Sequence, residues 1–126
     1  MSQTVSTIFA YNGVEYAFDV SDADDAERMD KATKNMAESE KSLEKVGSTA
    51  EIIRGQCKLL KDFFVDIFGE GAGDAICTAK NNLNVCYDAY DSFLELVREQ
   101  KNTLLSRGNS FKKYSNRQQR RHPDGK

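Results

Sequence analysis

A chain of 126 residues with 30% charged and 39% hydrophobic side chains is long enough for one folded domain, since about two-thirds of its unfolded surface can be buried at this size. Three cysteines, one histidine and one proline exclude a disulfide framework and a Cys/His zinc site, and no run approaches the ~20 apolar residues of a membrane span. The net charge of −2 conceals a split: residues 1–108 hold 12 Lys+Arg against 19 Asp+Glu, a net of −7, whereas residues 109–126 hold six cations against Asp124, a net of +5.

In chain order, the first element is a hairpin over about residues 6–19. The start "MSQTVSTIFAYNG" lacks a basic region and a long apolar run, so no signal peptide is expected. "TIFAY-NG-VEYAF" sets Asn12-Gly13, the favoured pair of a type I′ turn, between two β-favouring runs. That turn makes Tyr11 face Val14, Phe9 face Tyr16 and Thr7 face Phe18, giving an aromatic face that must pack on helices or on another subunit.

Ser21 then reads as the N-cap of a long acidic helix over about 22–46, with Asp22, Asp24, Asp25 and Glu27 in its first turn. Met29, Met36 and Leu43 recur every seven residues, with Ala32 and Val46 between and after them, as a narrow seam that packs lightly or accepts a partner helix. Ser48 and Glu51 form a capping box for a second helix, about 49–68, whose Ile52, Ile53, Leu59, Leu60, Phe63, Phe64, Ile67 and Phe68 mark the centre of the core. The seam keeps its phase across Gly47, so one kinked helix is the alternative to two.

"FGEGAGDAIC" alternates Gly69, Gly71 and Gly73. It misses the dinucleotide fingerprint and follows no strand, so Gly69 reads as a helix end and 72–79 as a short helix. Asn81 or Asn82 caps the last helix, about 83–106, which Gly108 ends; a short connection predicts that it packs antiparallel to the second. Its stripe of Leu83, Cys86, Tyr90, Phe93, Val97 and Leu104 is broken by Gln100 or Lys101. The fold class is therefore mainly α with a small N-terminal β-hairpin, an α+β antiparallel helical bundle. Residues 1–108 form the domain, and 109–126 form a flexible, disordered basic tail.

No cofactor, metal site or enzyme activity is expected. The lone histidine, His122, lies in the tail and leaves Cys57, Cys77 and Cys86 without a base, and the carboxylates fall on solvent faces. Cys57 and Cys86 read as small buried hydrophobes, which fits a reducing cytoplasm. The tail's cations, beside Phe111 and Tyr114, suit a protein-docking arm or phosphate contacts; the acidic body disfavours nucleic acid.

"KYSNRQQRR", together with "FAYNGVEYAFDVSDADDAERMDKA" near the start, resembles the tail assembly chaperones of long-tailed bacteriophages, whose short forms close on an Asn-Arg-x-Gln-Arg-Arg motif. "FFVDIFGEGAGDAICTAKNNLNVCYDAYDSF" resembles an uncharacterised phage and prophage family from Firmicutes hosts. The resemblance implies a non-enzymatic protein of the host cytoplasm, absent from the finished virion. Such a protein keeps the tape measure protein soluble and engages tail tube protein through a longer, frameshifted form, of which this chain would be the shorter counterpart. It assigns partner binding to Asn116, Arg117, Gln119, Arg120 and Arg121, with Gln118 where alanine is common, and to the neighbouring Lys112, Lys113 and Tyr114. Met29, Met36 and Leu43 are the candidate apolar seam for a helical client, and a homo-oligomer is expected. The alternative is a small phage nucleic-acid-associated or host-interfering factor acting through the basic tail.

Overall fold

The computed structural model describes residues 5–43 and 47–121, with side chains to residue 113. Six elements follow in order: β1 (Ile8–Tyr11), β2 (Val14–Ala17), α1 (Ala23–Ser42), α2 (Thr49–Phe68), α3 (Ala72–Cys77) and α4 (Leu83–Arg121). The fold is mainly helical with a small N-terminal antiparallel hairpin, as the sequence pattern predicts.

β1 and β2 pair in the register that the turn dictates: Ile8 with Ala17, Phe9 with Tyr16, Ala10 with Glu15 and Tyr11 with Val14. Asn12 and Gly13 take φ of 53° and 82°, the left-handed values of a type I′ turn. The aromatic face packs on this chain's own helices. Phe9 stacks on Phe64 at 6.0 Å and meets Phe93 edge-on at 5.2 Å, and Tyr16 stacks on Phe68 at 4.8 Å. Phe18, Phe63, Phe64 and Phe93 are almost wholly buried where hairpin, α2 and α4 meet. Such ring pairs add about 0.5–1.5 kcal/mol each beyond the area they bury.

Two local features of α1 depart from the sequence expectation. Asp22, not Ser21, caps α1: its Oδ1 accepts from the backbone N–H groups of Asp24 (2.9 Å) and Asp25 (3.4 Å). Ser21 instead turns back and donates from its hydroxyl to Asp19 Oδ1 at 2.6 Å. Both residue types cap well, so the choice falls to the chain's path out of the hairpin. α1 ends at Ser42 with Leu43 extended, not at residue 46; residues 44–46, Val46 of the seam among them, lie outside the described residues.

α1 and α2 are two helices rather than one kinked helix, and they lie antiparallel. Asn35 donates to Asp66 at 3.3 Å near one end, and Leu43 rests over Gly55 near the other. The Ser48–Glu51 capping box starts α2, and Gly69, at φ 104°, ends it.

α2 and α4 advance in the same general direction, contrary to the antiparallel pairing predicted. Cys57 meets Cys86, Phe63 meets Tyr90 and Phe68 meets Phe93, numbers rising together. The cause is α3, which doubles the chain back along α2. Gly71 (φ 88°) turns the chain, and Gly73 lies so close that a Cβ there would sit 2.7 Å from the Lys61 carbonyl oxygen. Asn82 then caps α4, accepting from Val85 N–H at 3.2 Å, and the chain turns forward again.

Candidate functional surface

The apolar seam is α1's contact with α2, not a free groove. Met29 is buried in the core and Met36 packs half-buried against it. Leu43 fills the notch that Gly55 leaves: a Cβ at Gly55 would lie 3.0 Å from its Cδ1. The heptad spacing located the stripe but not its partner, so the assignment of Met29, Met36 and Leu43 to a client is corrected.

The three thiols come together in the core, where α2, α3 and α4 meet. Cys57, Cys77 and Cys86 are all buried, and Cys86 lies close enough to both of the others to influence their ionisation. Burial pushes Cys57 up to about 11 and raises Cys77 and Cys86 as well. Lys61 pulls the other way on all three but is outweighed by burial, and neutral thiols are poor nucleophiles. Among the described residues no cluster of His, Cys, Asp and Glu could hold a metal ion, and no helix is long and apolar enough to cross a membrane.

An open cleft of about 530 Å³ lies between α2 and the glycine loop, with Arg54, Lys58, Lys61 and Asp74 on its walls. Its cations are already engaged in part. Lys58 pairs with Asp62 at 2.8 Å; Lys61 pairs with Asp74 at 3.1 Å and also donates to the Lys80 carbonyl oxygen at 3.1 Å. Lys61 is thus a pin for the loop before α4. The G-x-G-x-G spacing serves the reversal and the close approach of α3 to α2, not a phosphate cradle.

The remaining surface is the end of α4. The helix does not stop at Gly108 but continues to Arg121. Gly108 is absent from the left-handed glycines and has open space around its Cβ position. A glycine inside a helix costs about 1 kcal/mol against alanine. The residues beyond it, Lys112, Lys113, Arg117, Gln118, Gln119, Arg120 and Arg121, are good helix formers, and their charge complements the negative C-terminal end of the dipole. From Leu104 to Lys113 every side chain is exposed, so this segment projects from the body for about 15 Å. Leu104, Leu105 and Phe111 are 44%, 65% and 71% exposed on it, interspersed with Arg107, Lys112 and Lys113.

The eight tail-motif residues, Lys112, Lys113, Tyr114, Asn116, Arg117, Gln119, Arg120 and Arg121, therefore share one helix; residues 122–126, His122 included, lie outside the described residues. The residue that sequence reasoning passed over is Gln100. It is 5% exposed, and its amide accepts from Val20 N–H while donating to the carbonyl oxygens of Phe18 and Ser6, each at 2.8 Å. This amide fastens both base strands of the hairpin to α4. The only signal was a polar residue in phase with an apolar stripe.

A family model, described as a family of unknown function (DUF6673), matches residues 12–124. The match runs from the hairpin turn into the basic C-terminal segment, so the projecting helix is part of the family's own extent. No curated protein and no solved structure matches the chain.

Proposed function

We propose, from the premise that the chain belongs to DUF6673, a family of unknown function, that it is an assembly chaperone for a long helix-forming protein, of the kind that a phage tape measure is. The observation that carries this reading is the projecting end of α4, with Leu104, Leu105 and Phe111 exposed among cations. A long amphipathic client aggregates through its apolar stripe; a holdase lowers that risk by covering the stripe and presenting a charged surface to water. In this reading the client lies along the α4 arm, and the body provides a rigid, acidic base. The protein acts in the host cytoplasm and leaves before the virion is complete, and tail tube protein is a second partner.

The test is co-expression with the tape measure protein encoded in the same genome. The soluble fraction of the tape measure should rise, and Leu105→Glu combined with Phe111→Glu should abolish the rise. An unchanged soluble fraction with the native chain would refute the proposal.

One observation favours a second reading: residues 107–121 carry six cations and no anion on one helix, a pattern that binds phosphate backbones. A gel shift with generic DNA and RNA at physiological salt decides between them, strong retardation favouring nucleic acid.

A further inference from the structure

We infer that the α4 arm pairs antiparallel with the arm of a second copy of this chain, crossing at Gly108, so that each cationic end docks on the acidic start of the other copy's α1. Three observations lead there.

The first is the apolar stripe of α4. Phe93, Val97 and Gln100 are buried in the body, and helical spacing carries the same stripe on through Leu104 and Phe111, which stand in solvent. A core stripe that continues past its own core is a surface awaiting another helix. An antiparallel crossing between residues 107 and 108 sets Leu104 opposite Phe111 of the second copy, twice by symmetry.

The second is Gly108 itself. It lies in the helix between Leu104 and Phe111, with nothing within 4 Å of its Cβ position. It adds no stability to an isolated helix, but at a crossing point it allows two backbones to approach closely.

The third is charge. Residues 107–121 hold six cations and no anion. At the exit of the hairpin, Asp19, Asp22, Asp24, Asp25 and Glu27 outnumber their cations: Arg28 pairs with Asp25, Lys31 reaches Glu27 at 3.9 Å, and Arg107 shares a cleft with Asp19. Hydrogen bonds from Ser21 hold the Asp19 carboxyl below its ordinary range, so it stays charged. This acidic end adjoins the root of the arm: Asp19, Ser21, Gln100 and Leu104 line one cleft of about 180 Å³. Helices that cross at Gly108 diverge beyond it, and the cationic end of each passes over this cluster on the other copy.

The dimer does not rest on the chaperone reading, and the solubility assay and the measurement below can fail separately. Sedimentation velocity of the full chain should show a concentration-dependent dimer that weakens as salt rises. Phe111→Glu should weaken it about tenfold or more, and so should the reversal Arg117→Glu/Arg120→Glu/Arg121→Glu. The reversal Asp24→Lys/Glu27→Lys should do the same. Mixing the two charge-reversed variants should restore dimers, because the reversed arm then meets the reversed patch and the native arm meets the native patch; circular dichroism checks that all variants are folded. A chain that is monomeric at every concentration overturns the inference. So does a dimer that none of the substitutions weakens, or a mixture that stays monomeric.

Discussion

Replacing Gln100 tests the central packing argument most directly. Its amide makes three hydrogen bonds of 2.8 Å, to Val20 N–H, Phe18 C=O and Ser6 C=O, in a site where the residue is 5% exposed. Gln100→Met keeps the length and most of the volume but removes every polar atom. Two of the three backbone groups, on Val20 and Phe18, then lie buried without partners, and each orphan costs about 1–3 kcal/mol. The third, on Ser6, is nearer to solvent and can find water. The expected loss is about 2–6 kcal/mol, which corresponds to a drop of roughly 10 °C or more in melting temperature for a chain of this size. Urea unfolding followed by circular dichroism measures it. Gln100→Glu provides a control with a distinct signature, since a carboxylate still accepts from Val20 but faces two carbonyl oxygens. Its folded-state pKa is then raised, so the variant is least destabilised when the carboxyl is protonated and loses stability as pH rises above about 4.3. A Gln100→Met protein within about 0.5 kcal/mol of the native chain would refute the clamp, since that is the range of an inconsequential surface change.

The two helix-packing glycines should respond differently. Gly73→Ala drives a Cβ to 2.7 Å from the Lys61 carbonyl oxygen and 2.8 Å from its Cβ, and should cost about 2 kcal/mol or more in urea unfolding. At Gly55→Ala the obstacle is the flexible end of Leu43 at 3.0 Å, and a gain in helix propensity of about 1 kcal/mol offsets the shift, so stability should stay within about 1 kcal/mol of the native value. The raised thiols make a pH prediction. Unfolded cysteines ionise near about 8.5, whereas folded Cys57 ionises at about 11. The unfolded chain therefore sheds protons first, and stability should fall as pH rises through that interval; in native protein the thiols should react with a disulfide reagent only as fast as the core opens. Deleting residues 110–126 should leave the melting temperature of the body nearly unchanged at low protein concentration, because the side chains of residues 110–113 are exposed.

Local chemistry made some elements readable. Asn12-Gly13 set the hairpin register, because two adjacent left-handed residues admit few turns, and the Ser48–Glu51 pair marked the start of α2 by reciprocal hydrogen bonding. The dense apolar run from Leu59 to Phe68 identified the centre of the core. What depended on distant partners was not readable. The Met29–Met36–Leu43 stripe fits an external helix as well as α2, and periodicity carries no information about which one is present. The direction of α4 followed from steric closeness at Gly73, which needs the Lys61 backbone beside it to be seen. Gln100 looked like a flaw in a stripe because its partners are 80 to 94 residues away. At Gly108 a single strong stop signal was outweighed by a run of helix formers beyond it. The residues of the candidate surface were visible as a basic segment, but their helical form was not.

The fastening of the hairpin to residue 100 has a kinetic consequence for synthesis. The ribbon emerges from the ribosome before the helices, and although Phe64 and Phe68 of α2 cover Phe9 and Phe18 in part, their packing is complete only when Phe93 and Gln100 have followed them. Closing a loop of that length is entropically slow compared with forming the α1–α2 pair. The hairpin should thus be the last part to dock fully, and the nascent chain should carry an incompletely covered aromatic ribbon through much of its translation. The interval in which it is exposed to aggregation is set by elongation speed rather than by the stability of the finished fold.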